Sequence, residues 1–234
     1  MHIFYAPESS GNTITLSETE SRHCIRVLRM TTGSVIKLID GSGNLYTGYI
    51  SDPDPLRCKI IVTKTITGFG KRNYRLHIGI SPIKNRERFE WFLEKSVEIG
   101  IDIITPLICH RSEKNPINES RAGNIIISAI KQSVKAYKPE LTKPYLFDEF
   151  TDTFNSGVCM ITHCSKAFER TKIDSVYSRG RNAVILIGPE GDFTDEEIIR
   201  AIERGYIPVH LGESRLRTET AGIAACHSVY FINQ

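Results

Sequence analysis

The sequence predicts an α/β protein in two parts: a small N-terminal β-barrel, then a larger domain built on a mostly parallel sheet. Three observations carry this. Residues 1–72 hold five short β-type runs separated by turn residues. From residue 73 strand and helix patterns alternate, the order that builds parallel sheets. Two apolar runs near the C-terminus, Ala183–Ile187 and Tyr206–Leu211, each break at a glycine into a polar turn that opens a helix pattern.

The N-terminal runs are Ile3–Tyr5, Thr13–Leu16, Ser34–Ile39, Leu45–Ile50 and Cys58–Thr63. Asp40-Gly-Ser-Gly43 and Asp52-Pro-Asp-Pro55 are strong turn signals between them. Strands so short and closely spaced predict a small barrel. Between the second and third runs, Glu20–Met30 reads as a short helix with Arg22, Arg26 and Arg29 at i, i+4 and i+7, a stripe along one face. Spacing alone favours a solvated surface stripe. Residues 1–72 carry nine Lys/Arg against six Asp/Glu, and residues 73–234 carry 21 of each, so the whole net charge of +3 lies in the first third. That asymmetry suits a local basic face for phosphates but does not require one.

Gly68–Asn73 reads as a linker, followed by a strand at Tyr74–Ile80. Arg86–Gly100 is a helix, with Phe89, Phe92, Leu93, Ser96 and Val97 at helical spacing and Gly100 placed to end it. A strand at Asp102–Ile108, a helix at Glu119–Ala136 and strands at Leu141–Leu146 and Gly157–Thr162 follow. Turns at the ends of parallel strands gather backbone N–H groups and helix N-termini, which is where open α/β sheets bind ligands. In the first turn, Gly188-Pro-Glu-Gly191, the following Thr194-Asp-Glu-Glu197 fits a capping box. The second, Gly212–Thr218, precedes Glu219–Ala225, whose small residues permit close helix packing. Pattern alone leaves a binding turn and an ordinary turn equally open.

With 40% hydrophobic and 24% charged residues over 234 positions, the composition is that of a soluble globular chain and excludes disorder. Six cysteines are scattered without a CxxC pair or zinc spacing, which predicts reduced thiols and no metal. The N-terminus has no signal-type apolar stretch and no run approaches the ~18 residues of a membrane span, so the expected location is cytoplasmic, without a membrane partner. Neither GxGxxG nor GxxxxGK[ST] occurs, which disfavours a doubly wound nucleotide-binding domain.

The pair IGPEGDFTDEE and LGESRLRTETA resembles the cofactor loops of the bacterial ribosomal RNA uridine-N3 methyltransferases, the RsmE family of the knotted SPOUT class. RHCIRVLRM with TTGSVIKLIDGSGNLY resembles that family's PUA-like RNA-binding domain, and IKNRERFEWFLEKSVEIGIDIITPL the start of its catalytic domain. The likeness runs nearly end to end. It implies a PUA-like β-barrel over residues 1–72 and a SPOUT α/β domain with a deep trefoil knot over 73–234. It further implies S-adenosyl-L-methionine as cofactor and methylation of uridine N3 in 16S ribosomal RNA, free or within the assembled 30S subunit. The implied cofactor pocket comprises Thr162, His163, Ile187, Gly188, Glu190, Gly191, Leu211, Gly212, Leu216, Arg217 and Thr218. Arg217 is then the first catalytic candidate, a guanidinium able to stabilise the imide anion as N3 loses its proton, with Glu190 or Glu219 accepting that proton. The resemblance turns Arg22, Arg26 and Arg29 into RNA contacts and adds Lys84 and Arg86. It also implies a homodimer through the C-terminal helix, whose Ala221, Ile223, Ala224, Val229, Tyr230 and Phe231 suit an interface and a monomer core alike.

This chain departs from the family pattern in places. Asp192 stands where the family commonly has glycine, Ser214-Arg215 shifts an expected arginine by one position, His2 replaces an arginine, and Lys131 replaces a glutamate before Gln132. Two other readings stay open: a SPOUT enzyme acting on a different base or ribose, and a non-catalytic RNA-binding module.

Overall fold

The computed structural model describes residues 2–7, 11–113 and 116–234, and the chain forms two compact units, residues 1–71 with 127–138 and residues 72–126 with 139–234. In the first unit the five predicted runs become β1 (Ile3–Tyr5), β2 (Thr13–Thr15), β3 (Val35–Ile39), β4 (Leu45–Asp52) and β5 (Lys59–Ile66). They pair in the order β1-β3-β4-β5-β2, antiparallel except for β1 with β3. Register shifts in the β4–β5 ladder, at Thr47/Gly48 and Ile50/Asp52, bend the sheet so that it curls into a half-barrel. Phe4, Leu38, Ile50 and Ile60 fill its concave face and are fully buried.

The predicted helix at Glu20–Met30 is not one regular α-helix. It begins earlier as α1 (Glu18–Arg22), capped by Ser17, then widens into a π-helical turn over His23–Val27, and Arg29 takes a left-handed φ of 54°. The wider turn breaks the 3.6-residue period. Arg22, Arg26 and Arg29 are all exposed but do not form a single α-helical stripe, and Arg22 pairs with Glu18 at 2.5 Å.

The second unit contains β6 (Leu76–Ile80), α2 (Arg86–Ile99), β7 (Ile103–Ile108) and α3 (Glu119–Gln132), whose last turns belong to the first unit. It continues with β8 (Glu140–Leu141), β9 (Tyr145–Leu146), α4 (Phe147–Thr153), β10 (Val158–Thr162), β11 (Thr171–Lys172) and α5 (Ile173–Val176). It ends with β12 (Ala183–Ile187), α6 (Asp195–Glu203), β13 (Ile207–His210) and α7 (Thr218–Ile232). Gly100 ends α2 as predicted, whereas the predicted helix to Ala136 stops at Gln132, before Val134 with its φ of 58°. The strand expected at Leu141–Leu146 is two short strands lying against different parts of β7.

All strand pairs in this unit are parallel, in the order β11-β13-β10-β12-β6-β7-β8 with β9 on β7. Every residue of β6, β10 and β12 is buried, the near-continuous apolar pattern of strands covered on both faces. The register decides where function can sit. Thr162 of β10 pairs with Ile187 of β12 on one side and Val209 of β13 on the other. Three strands therefore end at one level, and the loops that leave them are neighbours.

Candidate functional site

Those three loops wall a cleft of about 790 Å³. From β10 come Thr162 and His163, from β12 Ile187, Gly188 and Glu190, and from β13 Leu211, Gly212, Leu216, Arg217 and Thr218. The sequence-predicted pocket residues are thus brought together with one exception, Gly191. It does not line the cleft, and its carbonyl accepts a hydrogen bond of 2.8 Å from Arg111 Nη1.

The first loop is shaped by close contacts. A Cβ on Gly188 would come within 3.0 Å of the Phe193 ring, so only glycine leaves this wall undisplaced. Phe193 itself is buried, and the Asp192 carboxylate accepts both its backbone N–H (2.9 Å) and that of Cys164 (2.7 Å). Asp192 thereby ties the β12 loop to the β10 loop while holding a left-handed φ of 64°. That accounts for the carboxylate where glycine was expected. The predicted capping box at the start of α6 is formed: Thr194 N–H donates to Glu197 Oε2 (2.9 Å) and Glu197 N–H to Thr194 Oγ1 (3.2 Å). The other Glu197 oxygen accepts the His110 N–H at 2.8 Å, which fastens the loop after β7 to the same helix N-terminus.

The second loop turns at Gly212, whose φ of 116° excludes most side chains. Its residues Gly212–Arg215 and Arg217 are exposed, and it ends where α7 begins. There the Thr218 hydroxyl donates to the Gly188 carbonyl at 3.1 Å, joining the two loops at the cleft floor. The next residue, Glu219, is only 6% exposed, and its carboxylate sits 3.7 Å from the Arg88 guanidinium of α2. The first turn of a helix favours such a carboxylate.

His163 is 4% exposed, yet neither ring nitrogen has a well-formed hydrogen bond, although the Ser165 N–H is close enough to act on the ring. Burial draws its pKa below the ordinary histidine value while the nearby Asp192 carboxylate opposes the shift, so the ring is neutral at pH 7. A neutral, unsatisfied imidazole in the wall of a cleft is a group still able to bind.

Three arginines that pattern reading missed line the cleft, Arg88, Arg111 and Arg170. Arg111 follows β7 within three residues, so the strand-end logic applied to the glycine turns would have reached it. Arg88 carries no such signal. Of the predicted RNA contacts in this unit, Lys84 pairs with Glu113 at 3.5 Å, and Arg86 borders a separate hollow of about 350 Å³ at the start of α2; neither lines the cleft. Among the described residues no group of three or more His, Cys, Asp or Glu could hold a metal, the six cysteines are free, and no helix is long and apolar enough to cross a membrane.

Comparison with known proteins fits this architecture. A family model described as an RNA methyltransferase domain matches residues 71–230, and one described as an RNA methyltransferase PUA domain matches residues 16–63. The chain belongs to this RNA methyltransferase family, in the branch of the ribosomal RNA small subunit methyltransferases E. The relative of that name from Buchnera aphidicola is 29% identical over 222 residues, covering 92% of this chain and 89% of its own. A probable rRNA-methyltransferase from Porphyromonas gingivalis superposes with a TM-score of 0.93 at 37% identity, covering 100% of this chain and 98% of its own. The Ribosomal RNA small subunit methyltransferase E of Neisseria gonorrhoeae, solved bound to S-adenosyl methionine, superposes at 0.84 with 29% identity, covering 100% and 98%.

Proposed function

We propose that this protein transfers a methyl group from S-adenosylmethionine to N3 of a uridine in small-subunit ribosomal RNA. The observation that carries the reading is the single cleft built by the ends of β10, β12 and β13, of a size that suits one cofactor. Relatives named for this activity, and a neighbour solved with S-adenosyl methionine, support it. The residues present fit the cofactor. Gly188 and Gly212 leave backbone open to a ligand, Ile187, Leu211 and Leu216 offer apolar walls to an adenine, and Thr162, the unsatisfied His163 and Thr218 complete the cradle.

S-adenosylmethionine supplies a methyl group already activated by its sulfonium. The protein's task is to hold the acceptor in line and manage the N3 proton. Arg217, exposed at the cleft edge, stabilises the imide anion. Glu219, buried and held by Arg88, accepts the proton; Glu190, exposed in the cleft, is the second candidate for that role. Arg22, Arg26 and Arg29 on the first unit, and Lys84 and Arg86 on the second, contact RNA phosphates. The exposed Lys84–Glu113 pair is of a kind worth about 0–1 kcal/mol, so exchanging it for a phosphate costs little. The deep trefoil knot, the cytoplasmic location, the assembled 30S subunit as substrate and a homodimer through α7 complete the proposal. On α7, Phe231 is 69% exposed and stacks on His227, a surface suited to a second copy, which light scattering checks.

The test is transfer of labelled methyl to small ribosomal subunits lacking native methylation, with the product mapped by reverse-transcription stops and nucleoside mass spectrometry. The expected product is N3-methyluridine at one position, formed about a hundredfold more slowly by Arg217→Ala. A methyl on another base or on ribose sinks the N3 assignment. Absence of cofactor binding leaves only an RNA-binding module.

A further inference from the structure

A second hollow, of about 700 Å³, opens along the N-terminal half of α2 and the first turn of α7. Its lining includes Asn85, Arg88, Trp91, Arg215, Arg217 and Glu219. Arg88, Arg215, Leu216 and Arg217 border this hollow and the cofactor cleft alike, so the two adjoin. Nothing in the cofactor reading uses Trp91, which is 45% exposed and lies one turn beyond Arg88 on α2. Nor does it use Arg215, the arginine displaced by one position from the family pattern.

We infer that this second hollow takes the single-stranded RNA around the acceptor uridine, with the Trp91 ring stacking on a nucleobase and the Arg88 and Arg215 guanidiniums meeting the adjacent phosphates. The inference rests on the methyltransferase reading and deepens it by locating the acceptor side. N3 lies on the pairing edge of uracil, so the acceptor strand must be locally unpaired, and a base drawn from its stack needs another π surface. An exposed indole beside arginines is the surface that single-strand binders provide. The charges agree. Arg215 and Arg217 carry no ion pair among the described residues, and of the carboxylates that border the hollow, Glu87 and Glu219, the latter is already paired with Arg88. The hollow therefore presents net positive charge to a polyanion. Because Arg217 borders both cavities, a base resting there places the neighbouring uridine at Arg217.

Trp91 is the only tryptophan in the chain, so its emission reads this site directly. The experiment titrates a short uridine-containing single-stranded RNA into the full-length protein saturated with S-adenosylhomocysteine, and follows tryptophan fluorescence. It then compares methyl-transfer kinetics and light scattering for wild type, Trp91→Ala, Trp91→Phe and Arg215→Ala. Stacking predicts quenching that salt reverses, and a KM for RNA raised about tenfold in Trp91→Ala with cofactor affinity unchanged. Trp91→Phe keeps an aromatic face and recovers most of that loss, and Arg215→Ala shallows the salt dependence by about one phosphate. Unquenched emission with a wild-type KM in Trp91→Ala overturns the inference. So does a Trp91→Ala protein whose mass changes in solution while its KM for RNA stays the same, which gives the face to a second copy of the chain. Quenching by RNA without methyl transfer to any ribosomal RNA leaves the RNA hollow supported and the methyltransferase reading refuted.

Discussion

The first glycine turn, residues 188–194, is tied to three other parts of its unit, whereas the second, residues 211–217, is held mainly at its ends. Arg111 reaches the first from the β7 loop, Asp192 fastens it to the β10 loop, and Thr218 anchors Gly188 from α7. The second has Gly212 N–H on His210 Nδ1 at 3.3 Å at one end and the first α7 bond, Ala221 N–H to the Arg217 carbonyl at 2.7 Å, at the other. A wall fixed before the ligand arrives loses little entropy on binding, while a sparsely tied wall can adjust to a second, larger substrate. In the proposed function both loops border the cofactor, and the second, which also lines the hollow proposed for RNA, is the one free to adjust.

The largest expected effect tests the parallel sheet that carries both loops. His77 lies in β6, paired with Val184 of β12, its ring against Phe150 and Phe154 and its Nε2 2.7 Å from Thr105 Oγ1. Burial first, then the charge of Arg75, lowers its pKa to about 4. Because that value lies below the ~6.5 of an unfolded histidine, the unfolded chain binds the proton more readily between the two. The stability conferred by neutral His77 is full above pH ~6.5 and is lost as the pH falls towards ~4, a total of about 3 kcal/mol. Urea titrations across that window should show a pH slope in wild type that is flatter in His77→Gln. Equal slopes would remove His77 as its source. Since both loops stand on this sheet, cofactor and RNA affinities should fall together in acid.

The next effect separates the loops. Gly188→Ala pushes a methyl against the Phe193 ring in a wall that cannot retreat, and overpacking of this kind costs about 1–3 kcal/mol, so cofactor affinity should drop about tenfold in calorimetry. At Gly212 a Cβ meets nothing within 4 Å, and only the left-handed backbone opposes it. Gly212→Ala should therefore cost about 1–2 kcal/mol of folding stability but weaken cofactor binding only about threefold, because that loop can settle elsewhere. A larger binding defect in Gly212→Ala would reverse the comparison.

The same contrast explains what could be read from the sequence. The Thr194–Glu197 box is a local signal, three residues apart, and it formed as expected. Its continuation, Glu197 to His110, joins residues 87 apart in sequence and has no local signature. Strands β6, β10 and β12 were legible because burial on both faces writes a near-continuous apolar run. Helix α4 was not, since its seven residues bury only Phe147, Phe150 and Thr151, too short a stretch to display a 3.6-residue period. Arg22, Arg26 and Arg29 show the converse: their spacing was regular, but the backbone between them changed its winding. Arg88 reads locally as surface charge on α2, and only the packing of α7 brings Glu219 to it.

The smallest effect concerns the tie that makes the first loop the fixed one. Asp192 accepts two backbone N–H bonds, each worth about 1 kcal/mol, while holding a conformation that costs a side chain up to about 1 kcal/mol. Asp192→Gly removes both bonds and relieves the backbone, so it should be about 1 kcal/mol less stable than wild type, a fall of about 2–4 °C in melting temperature. Asp192→Ala loses the bonds and keeps the strain, and should be about 1 kcal/mol less stable than the glycine variant. Both should bind cofactor two- to threefold more weakly, since neither links the β12 loop to Cys164, a change of about 0.5 kcal/mol. If the two variants melt together, the left-handed backbone at residue 192 carries no cost. If cofactor affinity does not move in either, the first loop is fixed by Arg111 and Thr218 alone, and the carboxylate in this chain is a dispensable substitute for glycine.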